Sequence, residues 1–78
     1  MTRERAIECA RRRLQLDGVR LKQLEPSRVE EHAKMVSGAR ERGWRIVYVV
    51  DYPEWPEYTF IVVEVREPSG EVVVLPAL

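Results

Sequence analysis

Two hydrophobic periods divide the chain. Near the start, Ile7, Ala10 and Leu14 fall at i, i+3 and i+7, and Ala6 and Cys9 widen that stripe. Arg5, Glu8 and Arg12 lie opposite it, with Glu8 placed to meet Arg12 one turn later. Thr2 is a natural N-cap, the arginines gather toward the C-terminal half where the helix dipole favours them, and Gly18 supplies the left-handed stop. The pattern predicts a helix over about residues 3–16. From Trp44 the period changes to two. "WRIVYVVDY" sets Trp44, Ile46, Tyr48, Val50 and Tyr52 on one side and Val47 and Val49 on the other. "YTFIVVEVRE" sets Thr59, Ile61, Val63 and Val65 against Tyr58, Phe60, Val62, Glu64 and Arg66, and "EVVVLP" follows. Such β-branched density predicts three strands of an antiparallel meander.

The stretch between helix and meander is less regular. "VRLKQLE" reads as a short strand through Val19 and Leu21. Ser27 and Glu30 then stand at capping-box spacing. A weaker second helix is expected from Arg28 to about Arg40, with Val29, Ala33 and Val36 on a narrow stripe and Gly38 as a flaw inside it. The expected architecture is α+β: one domain over 1–78, an N-terminal helix packed on a three- to four-stranded antiparallel sheet, and a short second helix.

Two turns carry their own signals. In "EPSGE", Pro68 presets the first central position and Gly70 takes the left-handed slot, predicting a tight hairpin. "YPEWPEY" (52–58) places three aromatics, two prolines and two carboxylates between strands that must pair. Proline cannot donate to a ladder, so Pro53 and Pro56 end one strand and delay the next. Pro53 and Pro56 also meet the minimal PxxP spacing, but the flanking charges are acidic, and the connection reading is preferred. Trp55 is expected to fold over one end of the core, or else to be the first candidate for a partner contact.

Composition narrows the class. A chain of 78 residues with 45% hydrophobic and 33% charged content is a small globular domain rather than a disordered one. Folding buries only about 60% of the unfolded surface at this size, leaving a thin stability margin. Net charge is zero but unevenly spread. Met1–Arg45 carries twelve Lys or Arg against seven Asp or Glu, and Ile46–Leu78 carries one against six. Complementarity between a helical layer and a sheet explains that split most simply. The chain shows no apolar signal region and no run of membrane-spanning length, so the cytoplasm is the expected compartment.

Little in the sequence points to catalysis. Cys9 is the single cysteine, which excludes an internal disulfide, and it reads as a small hydrophobe on the helix stripe. His32 is the single histidine, beside Glu31 but facing another way on a helix, and reads as solvent-facing. No phosphate loop, nucleophile elbow or paired zinc spacing occurs. No catalytic residue, metal or cofactor is expected. Arg5, Arg11, Arg12 and Arg13 form a candidate basic patch, yet the three consecutive arginines fan around the helix with no aromatic interleaved for base stacking.

The layout "ERAIECARRRL", "GWRIVYVV" and "YTFIVVEVREPSGEVVVL", with its Gly70-Glu71-Val72 hairpin ending, resembles small bacterial domains of the PepSY and broader cystatin-like type. The likeness leaves Val19–Gly43 unmatched. It implies a helix on a curled antiparallel sheet and a binding or regulatory role without a catalytic set.

The residues themselves favour a non-catalytic binding or oligomerisation module acting through its sheet. The alternative is a nucleic-acid-binding accessory using the arginine-rich helix. One helix covers one face, yet both phases of the strands are apolar, which a sheet with one wet face does not show. The expected partner is a second copy or another protein, with Tyr48, Trp55, Tyr58, Phe60 and Val62 as candidate contacts.

Overall fold

A computed structural model describes residues 1–34, 42–67 and 69–77, apart from the side chains of His32, Pro76 and Ala77. Helix α1 spans Arg3–Leu16, the expected range. The Thr2 hydroxyl accepts from the Arg5 N–H at 3.2 Å and caps its first turn. Its end is a Schellman turn: Gly18, at φ +68°, donates to the Gln15 carbonyl, and Val19 donates to that of Leu14. Ala6, Ala10 and Leu14 form the buried stripe, with Ile7 and Cys9 packed at its margins.

Four strands follow: β1 (Arg28–Lys34), β2 (Arg42–Val49), β3 (Phe60–Glu67) and β4 (Val72–Ala77). They form one antiparallel sheet in the order β1-β2-β3-β4, the expected meander. Helix α1 crosses β2, β3 and β4 on one side. Under it lie Trp44, Ile46, Tyr48 and Val50 from β2 and its exit, and Ile61, Val63 and Val65 from β3. Val29, Val72 and Val74 pack against the margin of this core.

The second helix expected from Arg28 is corrected by the structure: Arg28–Lys34 is strand β1. The physical reason lies in β2, whose outer N–H and C=O groups would be left without partners, and only an extended chain can supply a ladder. Val29 still reaches the core, and Glu30 lies across from Arg45, so the extended form keeps the apolar contact and gains an ion pair. Ser27 forms no capping box; its N–H donates to the Val47 carbonyl at 2.8 Å. The rest of the expected helix, with Val36 and Gly38, lies outside the described residues.

The short strand expected from Val19 contracts to a single bridge, Leu21 with Val50. Backbone bonds from Lys22 to Val49 and from Asp51 to Arg20 hold residues 20–22 along the end of β2, beyond the reach of β1. The β3–β4 hairpin closes as expected on Gly70 at φ +76°, with Gly70 donating to the Arg66 carbonyl and Arg66 to that of Glu71, each at 2.8 Å. Pro68 lies outside the described residues.

Candidate interaction surface

The register of β2 on β3 decides which residues face away from α1. Val49 pairs with Phe60, Val47 with Val62, and Arg45 with Glu64. Leu75 and Val73 continue the last two rows on β4. Since cross-strand partners share a face, the open side carries an apolar half, Val47, Val49, Phe60, Val62, Val73 and Leu75. Phe60 is 43% exposed and the other five are half-buried. Among the described residues no helix or strand packs on them.

The other half of that side is charged and internally tied. The Arg45 guanidinium donates to Glu30 at 3.3 Å, to Glu64 at 3.4 Å and to the Lys34 carbonyl at 2.8 Å. Glu64 is wholly buried, so this arginine is part of what makes its charge tolerable. Arg66 bonds Glu71 at 2.8 Å nearby.

The sheet's two edges are poorer docking places. Edge strand β1 displays Arg28, Glu30, Glu31 and Lys34 and shifts register between Glu30 and Ala33. On β4, Pro76 offers no N–H, and the Val72 carbonyl already accepts from Arg13 Nη1 at 3.0 Å. Charge, bulge and proline are the usual means of blunting an edge against strand addition.

The sequence-based contact residues separate into three groups. Phe60 and Val62 lie together on the open face. Tyr48 is corrected: it has no exposed surface, and its ring belongs to the core beneath α1. Its partner in the ladder is Ile61, so Tyr48 and Phe60 necessarily point to opposite sides. Tyr58 and Trp55 belong to the β2–β3 connection. There Trp55 donates to the Tyr52 carbonyl and Tyr58 to that of Trp55, two successive turns that answer what "YPEWPEY" builds.

That connection is an ordered aromatic stack. Tyr52 and Tyr58 lie 5.2 Å apart and 2° from parallel, and Trp55 stacks on Tyr52 at 6.2 Å. The Arg20 guanidinium sits 4.4 Å over the Tyr52 ring and pairs with Glu54. Glu54 is held below the usual carboxyl range by a backbone hydrogen bond and by Arg20, and Arg20 is raised chiefly by its bond to Glu54. Trp55 therefore does not close over the core; it stacks at the loop and remains 57% exposed.

The candidate basic patch is dispersed. Arg5, Arg11 and Arg12 are exposed, but Arg12 pairs with Glu8 at 3.0 Å, as its spacing foretold. Arg13 turns to Asp17 and to the edge of β4. Its guanidinium serves the fold.

Val47, Val49, Val73 and Leu75 were not among the expected contacts. A usable signal was present: Arg45 and Asp51 share the phase of Val47 and Val49, and Glu64 and Arg66 share that of Phe60 and Val62. The phase that carries charges is the one turned away from the helix. Cys9 is half-buried against the core, as its place on the stripe suggested. The side chain of His32 lies outside the described residues. Among the described residues no helix is long and apolar enough to cross a membrane.

Compared with known proteins, the chain matches no family model, no curated protein and no solved structure.

Proposed function

We propose that the chain is a non-catalytic association module whose partner is a second copy, docked across the open face of the sheet. The observation that carries this reading is the apolar half formed by Val47, Val49, Phe60, Val62 and Leu75, which no described helix or strand covers. A contiguous patch of this kind marks a contact surface when a soluble domain leaves it open. A two-fold axis lets one patch serve both copies. With the axis near the Val47–Val62–Leu75 row, apolar half meets apolar half. The mixed charges of Glu30, Arg45, Arg66 and Glu71 then fall at the rim, where interfaces are normally polar. The blunted edges favour the same geometry, sheet face on sheet face about 10 Å apart, over a continuous sheet.

The nucleic-acid alternative loses ground on the helix itself, where Arg12 and Arg13 are engaged within the molecule. The test is Phe60→Lys, an exposed position whose change leaves the core under α1 untouched. Sedimentation should shift the variant toward monomer while its circular dichroism stays unchanged. Equal association by the variant would refute the reading.

A further inference from the structure

The helix side of the molecule has a feature that the association reading does not use. Between the flank of α1 and the stretch after it lies a cleft of about 190 Å³, lined by Arg11, Leu14, Gln15, Val19, Leu21 and Leu24. Its lining combines four aliphatic side chains with one cation and one amide. A second hollow of about 200 Å³ shares Arg11 and Gln15 and adds Glu8 and Arg12, all from α1. Each volume is below the ~300–1,000 Å³ of sites for drug-sized ligands. The first exceeds the ~150 Å³ in which a buried apolar cavity holds benzene.

Two polar groups on the helix side of the sheet form no hydrogen bond among the described residues. Arg12 and Arg13 are paired, but Arg11 forms no hydrogen bond or ion pair with any described residue. The Tyr48 hydroxyl is buried and also without a partner among the described residues. Tyr48 shares the core beneath α1 with Leu14, whose side chain lines the cleft. A buried hydroxyl left unbonded is costly, and in native proteins it usually marks a water or ligand atom. Arg11 is the cation in the cleft's lining, so a negative group is drawn to it.

We propose that this cleft binds a small amphipathic anion: a carboxylate carrying a short aliphatic tail. The carboxylate is held by the Arg11 guanidinium with the Gln15 amide beside it. The tail lies against Leu14, Val19, Leu21 and Leu24. The cleft is on the side opposite the open sheet face, so the proposal does not rest on self-association.

The test is titration of the full chain with hexanoate, followed through backbone amide shifts, with hexanol and inorganic phosphate as comparison probes. Saturable shifts are expected at Leu14, Val19, Leu21 and Leu24, with a Kd on the order of 1 mM, as suits so few ligand atoms. Arg11→Gln, a change at an exposed helix position, should weaken hexanoate about tenfold and leave hexanol unaltered. Leu24→Lys, also at an exposed position, should weaken both, and its dispersion of shifts shows whether it remains folded. Lack of saturation by ~10 mM overturns the site. Hexanol binding as tightly as hexanoate overturns the anion assignment, and phosphate binding as tightly overturns the tail. Hexanoate shifts confined to the open sheet face overturn the location.

Discussion

Under α1, the sheet residues Ile46, Tyr48, Val63 and Val65 have no exposed surface, whereas on the opposite side the same strands present Val47, Val49, Val62 and a Phe60 that is 43% exposed. Both sides use valine and aromatics. What differs is the cover. Ala6, Ala10 and Leu14 close the first side, and no described helix or strand closes the second. The lesson is that apolar content alone does not locate a core in a chain this short. An apolar residue adds most to folding where an element is left to cover it.

The largest effect expected is at Gly43, where the two faces share one tight contact. A Cβ there would overlap the Val65 carbonyl on the neighbouring strand, so it would force β2 from β3 and damage both sides together. Gly43→Ala should cost ~3 kcal/mol or more, read as a fall in the denaturant midpoint. A one-sided effect of similar size separates the faces. Leu14→Ala should cost about 2–5 kcal/mol because it opens a cavity between helix and sheet. Val62→Ala on the open side should cost under ~1 kcal/mol at dilutions where the protein is monomeric. Equal costs would erase the distinction between covered and open faces.

Arg45→Met comes next. It leaves the wholly buried Glu64 without a guanidinium 3.4 Å away, at a cost of about 1–3 kcal/mol. The cost is read from the denaturant midpoint, and a variant as stable as the wild type would show that the ion pair adds nothing.

Tyr48→Phe should have the smallest effect. Removing a hydroxyl that has no partner should be neutral or slightly stabilising at neutral pH. Burial raises the Tyr48 phenol above its ordinary value near 10, with Glu25 adding to the rise and Arg11 opposing it. Above that ordinary value the unfolded chain releases the proton while the folded chain keeps it, so stability falls as pH rises past about 10. Tyr48→Phe should remove part of that alkaline loss, measured by thermal melts from neutral to alkaline pH. An identical alkaline profile in the variant would assign the loss elsewhere, first to Tyr58, which burial also raises.

Helix α1, its Thr2 cap, the Gly18 and Gly70 turns and the meander were legible because each rests on local chemistry at fixed spacing. Two features were not. The fate of Arg28–Lys34 was set by the need of β2 for a ladder partner, a demand that arises far along the chain and overrides a weak local helix signal. The facing of Tyr48 relative to Phe60 depended on register across the connection between Val49 and Phe60. A shift of one residue there exchanges the faces, and the aromatic loop that fixes it has no standard length. Phe60 and Val62 hold their place on the open face, and Tyr48 belongs to the core.

The open face as a self-association surface is tested most directly by sedimentation equilibrium of the wild-type chain at micromolar concentration, beside Phe60→Lys. The expected result is a species of about twice the 9.2 kDa chain mass for the wild type, falling toward the single-chain mass in the variant. A wild-type protein that remains at 9.2 kDa across the concentration range would contradict it.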